Sequence, residues 1–250
     1  MTLSSSSQCH FSWMKNKILN IKLALIFVFS FGVLCVSLFA SREKKISKNL
    51  NLKSDTLIQV KPVDTVVSVK GKKVLYIGDS HTTYAYGWQD RLCRRTGMSY
   101  INTAVGGKTT AWMKGVALSN INSGFDYCFI WGGANDMAGT IKPYLAVKNV
   151  QYIVDLCRAK GVKAIVLTGF DPKTCVDVTG KGQIWQPYPK RYEIFQKMLQ
   201  DSIVGAKVIK SHFISRKDKD CGDFICHMNG SGHVKMADSI IKVMKFKTIK

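Results

Sequence analysis

From residue 72 onward, short apolar runs alternate with longer stretches in which apolar positions recur every three or four residues. Lys73–Ile77 (KVLYI), Ser99–Val105, Asp126–Trp131 (DYCFIW), Lys163–Thr168 (KAIVLT) and Lys207–Lys210 read as strands. Between and after them, Tyr86–Thr96, Thr109–Ser119, Pro143–Lys160, Tyr188–Ile203 and Gly230–Met244 read as helices. Pro143 suits a first helical turn, and Gly97 and Gly161 suit helix exits. Residues 171–187 and 214–228 read as long loops. Strand–helix alternation with apolar strands predicts an α/β fold, a three-layer α/β/α sandwich around a mainly parallel five-stranded sheet of flavodoxin-like type.

The first 70 residues follow a different pattern. Residues 1–22 are polar and basic, and 23–40 (LALIFVFSFGVLCVSLFA) is an uncharged apolar run. Eighteen residues at about 1.5 Å each nearly span a bilayer core. No amphipathic face is visible, so the run reads as one hydrophobic helix: a transmembrane anchor, or the core of a signal peptide starting at Met14 and cleaved near Ala40. Leu38 and Ala40 make a poor small-x-small cleavage site, which favours the anchor. Basic residues flank both sides, so charge does not set the orientation. Residues 41–70 read as a polar linker in which TLIQV and TVVSV could form short extended pieces. Residues 71–250 remain as one domain of ordinary size, expected to be membrane-anchored or secreted with its chemistry outside the cytoplasm.

Charge adds a second theme. The chain carries a formal net charge of +21, and residues 71–250 hold 27 Lys/Arg against 13 Asp/Glu. Such a surface repels itself in solution and attracts anionic ones, such as lipid headgroups or acidic polymers. No basic helix interleaved with aromatics is present, so no nucleic-acid partner is expected. Cys93, Cys128 and Cys157 fall in predicted helices and a strand and read as small buried hydrophobes. Cys175, Cys221 and Cys226 fall in loops. Two of them could pair if the domain is exported, but the pairing is not set by sequence.

Four short blocks carry the candidate chemistry. Gly78-Asp79-Ser80, Gly106-Gly107 and Gly133-Ala134-Asn135-Asp136 follow the first three strands, and His227 precedes the last helix. In parallel α/β sheets ligands bind beyond the strand carboxyl ends, so the pattern puts all four on one rim. Ser80 can be a nucleophile. The Gly107 N–H and the Asn135 carboxamide can meet an oxyanion, and His227 can take the serine proton. His81 is adjacent to Ser80, and adjacent side chains point apart. His212 sits at strand five, and His233 enters the last helix. Written as C-x4-C-H-x5-H, Cys221, Cys226, His227 and His233 match no usual structural zinc spacing. Tyr84, Tyr86, Trp88, Trp112, Trp131 and Trp185 are aromatics near the rim, at least half of them expected in the core. Trp185 lies in the 171–187 loop, the best candidate for substrate selection.

Over residues 72–245 the chain resembles the SGNH, or GDSL, hydrolase family. YIGDSHT matches its serine block with Ser80. NTAVGGKTT matches its glycine block with Gly107, Gly106 being the off-by-one alternative. WGGANDM matches Gly-x-Asn-Asp with Asn135. HMNGSGHVKMAD matches its histidine block with His227. The family places an Asp three residues before that His. Here the position is Phe224, with Asp223 four before and Asp220 seven before. Asp223 could still orient the imidazole through a one-residue bulge; otherwise Ser80 and His227 form a dyad. The resemblance implies an SGNH-type sandwich, an oxyanion hole of Ser80, Gly107 and Asn135, and no metal or organic cofactor. It implies a serine esterase forming an acyl-enzyme. With the anchor, basic surface and aromatics, the expected substrate is an O-acyl, most simply O-acetyl, ester on a cell-envelope carbohydrate. A lipase- or thioesterase-type acylhydrolase is the nearest alternative, and a non-catalytic glycan- or surface-binding module is the alternative of another class.

Overall fold

Five parallel strands form the sheet: β1 (Lys73–Gly78), β2 (Ser99–Asn102), β3 (Tyr127–Trp131), β4 (Lys163–Leu167) and β5 (Lys207–Ile209). Their spatial order is β2-β1-β3-β4-β5, with every neighbouring pair parallel. This computed structural model describes residues 65–171, 188–214 and 227–249. The apolar run 23–40, most of the loop after Asp171, and Asp223 therefore lie outside the described residues. Contacts gather residues 64–250 into one unit.

The described helices are α1 (Trp88–Thr96), α2 (Thr110–Asn120), α3 (Ala134–Ala138), α4 (Pro143–Ala159), α5 (Tyr188–Ser202) and α6 (Gly230–Met244). Side chains on a strand alternate between faces, and here the alternation divides the core in two. Leu75 and Ile77 of β1, Cys128 and Ile130 of β3, and Ala164 and Val166 of β4 join one cluster with α2, α4 and α5. Val74 and Tyr76, then Tyr127, Phe129 and Trp131, then Ile165 and Leu167 join the other with α1 and α6. At β1, β3 and β4 the sheet is thus buried on both faces, which is why these strands lack polar alternation. Cys93, Cys128 and Cys157 are all buried free thiols.

Three boundaries differ from the pattern-based expectation by more than one residue. The second strand ends at Asn102, although Thr103 and Val105 still donate to the Tyr76 and Gly78 carbonyls at 2.9 and 3.2 Å. The helix expected from Tyr86 begins at Trp88, after an extended Gly87. The domain also begins earlier than residue 71. Val69 is buried, and Val67 pairs with Phe246, giving its N–H to the Lys245 carbonyl and accepting from Lys247, both at 2.8 Å. Among the described residues no helix is long and apolar enough to cross a membrane.

Candidate active site

In this strand order the connection from β1 runs to β2 on one side and that from β3 to β4 on the other, making β1/β3 the switch point where a crevice opens. Ser80 follows β1 and Asn135 follows β3, one on each side of that crevice. The turn that carries Ser80 is built tightly. A Cβ on Gly78 would stand 2.7 Å from the Trp131 carbonyl oxygen and 2.8 Å from Thr82 Oγ1, so only glycine fits there. Asp79 N–H donates to that same Trp131 carbonyl at 3.2 Å. The Asp79 carbonyl accepts from Thr82 N–H and from Thr83 Oγ1, both at 3.0 Å. Asp79 Oδ1 accepts from His81 N–H at 3.1 Å, a side-chain-capped turn. Ser80 is left half-buried. No helix starts here. The next one begins at Trp88, so Ser80 gains nothing from a helix dipole.

The glycine loop comes up beside this turn. A Cβ on Gly106 would lie 3.7 Å from Ser80 Cβ. Gly107 follows with a left-handed φ of 72°, a conformation glycine adopts without penalty, and it is exposed. Both glycines thus stand at the serine. Gly106 makes the nearer approach and Gly107 makes the turn.

Asn135 follows the third strand as expected, and it lies inside the five-residue helix α3. Gly133 permits this with φ of 106° and Phe195 packed where its side chain would be. Asn135 Nδ2 donates to the Lys108 carbonyl at 3.0 Å and stands 3.5 Å from Asp79 Oδ2. The first bond fixes the carboxamide to the glycine loop. The second is long and weak. Asp136 plays a different part. Its carboxylate accepts Thr110 N–H at 2.9 Å and Thr110 Oγ1 at 2.6 Å, bracing the first turn of α2. A carboxylate at a helix N-terminus is favourably placed.

Four histidines are described, and they divide by environment. The His227 ring lies 5.6 Å from that of His81 and 6.0 Å from that of Tyr84, so it stands over the serine turn, half-buried. Two residues on, Asn229 caps α6 by accepting Gly232 N–H at 3.0 Å. His81 is buried, stacked on Trp131 at 5.2 Å and edge-on to Phe170 at 4.8 Å. His233 is buried, and its Nδ1 accepts Trp88 N–H at 3.2 Å, which places its proton on Nε2. Burial, with Arg91 and His227 nearby, lowers its pKa to about 4. His212, just after β5 at the far edge of the same rim, meets Gln196 at 2.7 Å, and burial lowers its pKa as well.

Asp79 is the unusual acid. It is fully buried, and burial first, with Asp136 adding repulsion, raises its pKa to about 7 against the pull of the His81 N–H. Its approach to Asn135 has no signature in the linear pattern, which does not show that positions 79 and 135 face one another. Of the rim aromatics, Trp88 and Trp131 are fully buried core residues, Tyr84 and Tyr86 are exposed, and Trp185 lies outside the described residues. Among the described residues no group of three His, Cys, Asp or Glu could hold a metal ion.

A flavodoxin-like α/β domain with a serine turn, a glycine loop, an asparagine and a histidine on the switch-point rim defines the class. Residues 76–234 match the family model of the GDSL-like lipase/acylhydrolase family. The chain belongs to that family and is a serine hydrolase acting on ester bonds. No curated protein matches the chain by sequence. Solved structures with the same fold include a lipolytic protein of the G-D-S-L family from Veillonella parvula, with 16% identity, 69% of this chain and 98% of that chain covered, and a TM-score of 0.57. An acetylxylan esterase from Geobacillus stearothermophilus, studied as a catalytic mutant, shares 13% identity over 73% of this chain and 98% of its own, with a TM-score of 0.57. A psychrotrophic esterase from Pseudoalteromonas shares 14% over 70% and 97%, with a TM-score of 0.52.

Proposed function

We propose that this chain removes an O-acyl group, most simply acetyl, from a cell-envelope carbohydrate through an acyl-enzyme on Ser80. What supports the reading is a half-buried Ser80 hydroxyl beside a bare glycine loop, a carboxamide tethered to that loop, and a half-buried His227 ring 5.6 Å from the ring of His81, the residue after the serine. His227 takes the proton of Ser80 Oγ as the oxygen attacks the carbonyl carbon. The carbonyl π electrons move to oxygen. The oxyanion is met by the N–H groups of Ser80 and Gly107 and by Asn135 Nδ2. One hydrogen of that Nδ2 stays on the Lys108 carbonyl, and the oxyanion takes the other in place of the long contact to Asp79. His227 then protonates the departing sugar oxygen. Water, deprotonated by the same ring, releases the acid and restores Ser80. Asp223, four residues before His227, is assigned to orient the ring.

His227 is the base by elimination as well as by place. His233 is held neutral with its Nδ1 occupied, His81 is packed flat among aromatics, and His212 faces a different part of the rim. The carbohydrate assignment draws on the exposed Tyr84 and Tyr86 beside the site and on an acetylxylan esterase among proteins of this fold. The apolar run 23–40 supports a membrane-anchored or secreted position, with the domain outside the cytoplasm. The test is release of free acetate from isolated envelope polysaccharide by the full-length protein, with Ser80→Ala as the blank. Acetate release that vanishes in the variant supports the reading. Turnover confined to long-chain glycerolipids or acyl thioesters replaces it with the lipase or thioesterase alternative.

A further inference from the structure

The loop between β1 and α1 is longer than the connection needs. It runs from Asp79 to Gly87, where about two to six residues commonly join a strand to its helix. It is also firmly held. The Asp79 carbonyl accepts from Thr82 and Thr83, the His81 carbonyl from Trp88 Nε1 at 3.0 Å, and the Thr82 carbonyl from Asn102 Nδ2 at 2.6 Å. The Tyr84 carbonyl accepts from Gly87 N–H at 3.1 Å and from Gln89 Nε2. A long loop tied at so many carbonyls displays its side chains at fixed places, as a binding loop must.

Two tyrosines of this loop reach the surface, Tyr84 at 42% exposure and Tyr86 at 72%. They meet different neighbours. Tyr86 has the Arg94 guanidinium of α1 5.8 Å from its ring centre. Tyr84 has the rings of His233 and His227 against it, at 5.3 and 6.0 Å. His233 is buried and its Nδ1 holds the Trp88 N–H, so it is a fixed support. Two described rings meet His227. That of His81 is only 4% exposed, so Tyr84 is the one that offers a surface.

The chemistry of ester cleavage gives this neighbour a role. The tetrahedral carbon carries Ser80 Oγ, the oxyanion, the acyl chain and the departing oxygen. One imidazole serves two of these, taking a proton from Oγ and giving it to the departing oxygen. The oxyanion turns to Gly107 and Asn135 instead. The departing oxygen must come within about 3 Å of a His227 ring nitrogen, and its alcohol then continues past that ring. On the described surface, what stands there is Tyr84.

We propose that Tyr84 floors the subsite of the departing alcohol, so that the sugar ring bearing the ester stacks on its face beside His227 while the acyl chain points away. The inference rests on the proposed hydrolysis of a carbohydrate ester and deepens it. A tyrosine suits the task, being a large rigid apolar plate with a polar tip. Selectivity for the alcohol is then set by a residue outside the oxyanion hole, and selectivity for the acyl chain is set elsewhere. The subsite also works in reverse. After the first alcohol leaves, a second sugar hydroxyl can enter, lose its proton to His227 and attack the acyl carbon. The bond from that carbon to Ser80 Oγ breaks, Oγ recovers the proton, and the acyl group has moved to the new sugar.

The test compares ethyl acetate, cyclohexyl acetate and xylose tetraacetate as substrates of the full-length protein and its Tyr84→Ala and Tyr84→Phe variants. Tyr84→Ala should lower kcat/KM for the sugar ester by about five- to tenfold, the worth of one buried ring face, mainly through KM. Ethyl acetate, whose alcohol is too small to cover the ring, should be turned over as before, and Tyr84→Phe should restore most of the loss. In a second measurement, ethyl acetate supplies the acyl group and methyl xyloside competes with water for it. Tyr84→Ala should lower the ratio of acetyl xyloside to free acetate several-fold. Equal loss on all three esters overturns the proposal, because it makes Tyr84 a prop for His227. An unchanged preference for the sugar ester overturns it too, as does a changed preference between acetyl and butyryl esters of one alcohol. If the wild type cleaves the alkyl acetates but not the sugar ester, the carbohydrate reading fails by itself. Loss of the cyclohexyl-over-ethyl preference in Tyr84→Ala then still places the alcohol on Tyr84, and its retention overturns that placement. Cleavage of none of the three, with no labelling of Ser80 by a fluorophosphonate, overturns the hydrolase reading and the subsite with it.

Discussion

The two halves of the strand-end rim treat their polar groups in opposite ways. After β4 and β5 they close on themselves. Gly169 N–H donates to Ser211 Oγ at 2.8 Å, Ser211 Oγ returns a bond to the Gly169 carbonyl at 3.1 Å, and Ser211 N–H reaches Thr168 Oγ1 at 3.2 Å. Gln196 spans the same region, donating Nε2–H to the Phe170 carbonyl at 2.6 Å and accepting at Oε1 from His212 Nε2 at 2.7 Å. Thr168, Gly169, Gln196 and Ser211 are all buried. After β1 and β3 the backbone is as tightly tied, yet Ser80, Asn135 and His227 are each half-buried. The Asn135 contact to Asp79 is long enough to be given up. A satisfied network stiffens a rim; a catalytic rim must also keep a donor that substrate can claim.

The sharpest break between the halves is expected at Ser80. Ser80→Ala should lower turnover of an activated acetyl ester by about 10⁴–10⁶ with an unchanged melting temperature, because nucleophile and base act as a unit. Retained turnover, or loss accompanied by unfolding, would remove the chemistry from this half. Asp79 offers a pH signature. Its pKa is raised to about 7. The native state therefore keeps a proton that the unfolded chain has released, and stability falls as pH rises from about 4 to about 7, then levels off. The full change is at most about 4 kcal/mol for a shift of about three units. Asp79→Asn should flatten that slope in denaturant melts run from pH 4.5 to 8; an unaltered slope assigns it elsewhere. Asn135→Ala should cost about 2.7–4 kcal/mol of barrier, seen in kcat more than KM. On the closed half, Ser211→Ala should cost about 1–3 kcal/mol of stability by stranding the buried Gly169 N–H. Its turnover below the melting temperature should be normal, and a large loss there would extend the catalytic region across the sheet.

The fold was largely legible because the central strands β1, β3 and β4 are apolar on both faces and most helices are punctuated by proline or glycine. Lys163–Leu167 and Pro143–Ala159 appear almost as their patterns predict. Helix α3 did not announce itself: five residues are too few for a helical period to show, and its start depends on Gly133 and Phe195 meeting from distant parts of the chain. The site was legible as a set of blocks, since Ser80, Gly107, Asn135 and His227 each follow a strand or precede a helix. What linear pattern could not hold was the sorting of histidines. His227 and His233 are six residues apart, and only burial and the Trp88 N–H, which occupies Nδ1 of His233, set the second ring apart as one locked neutral. Asp223 lies outside the described residues, so its assignment still rests on spacing alone.

The pairing of Val67 with Phe246 has a kinetic consequence. It joins the two ends of a domain some 180 residues apart, so the loop it closes is nearly the whole chain. Such a contact gains little until the intervening sheet has assembled. It is a clasp fastened late: in pulse-labelled refolding the amide hydrogens of Val67 and Lys247 should be among the last to gain protection, and on mild destabilisation among the first to lose it.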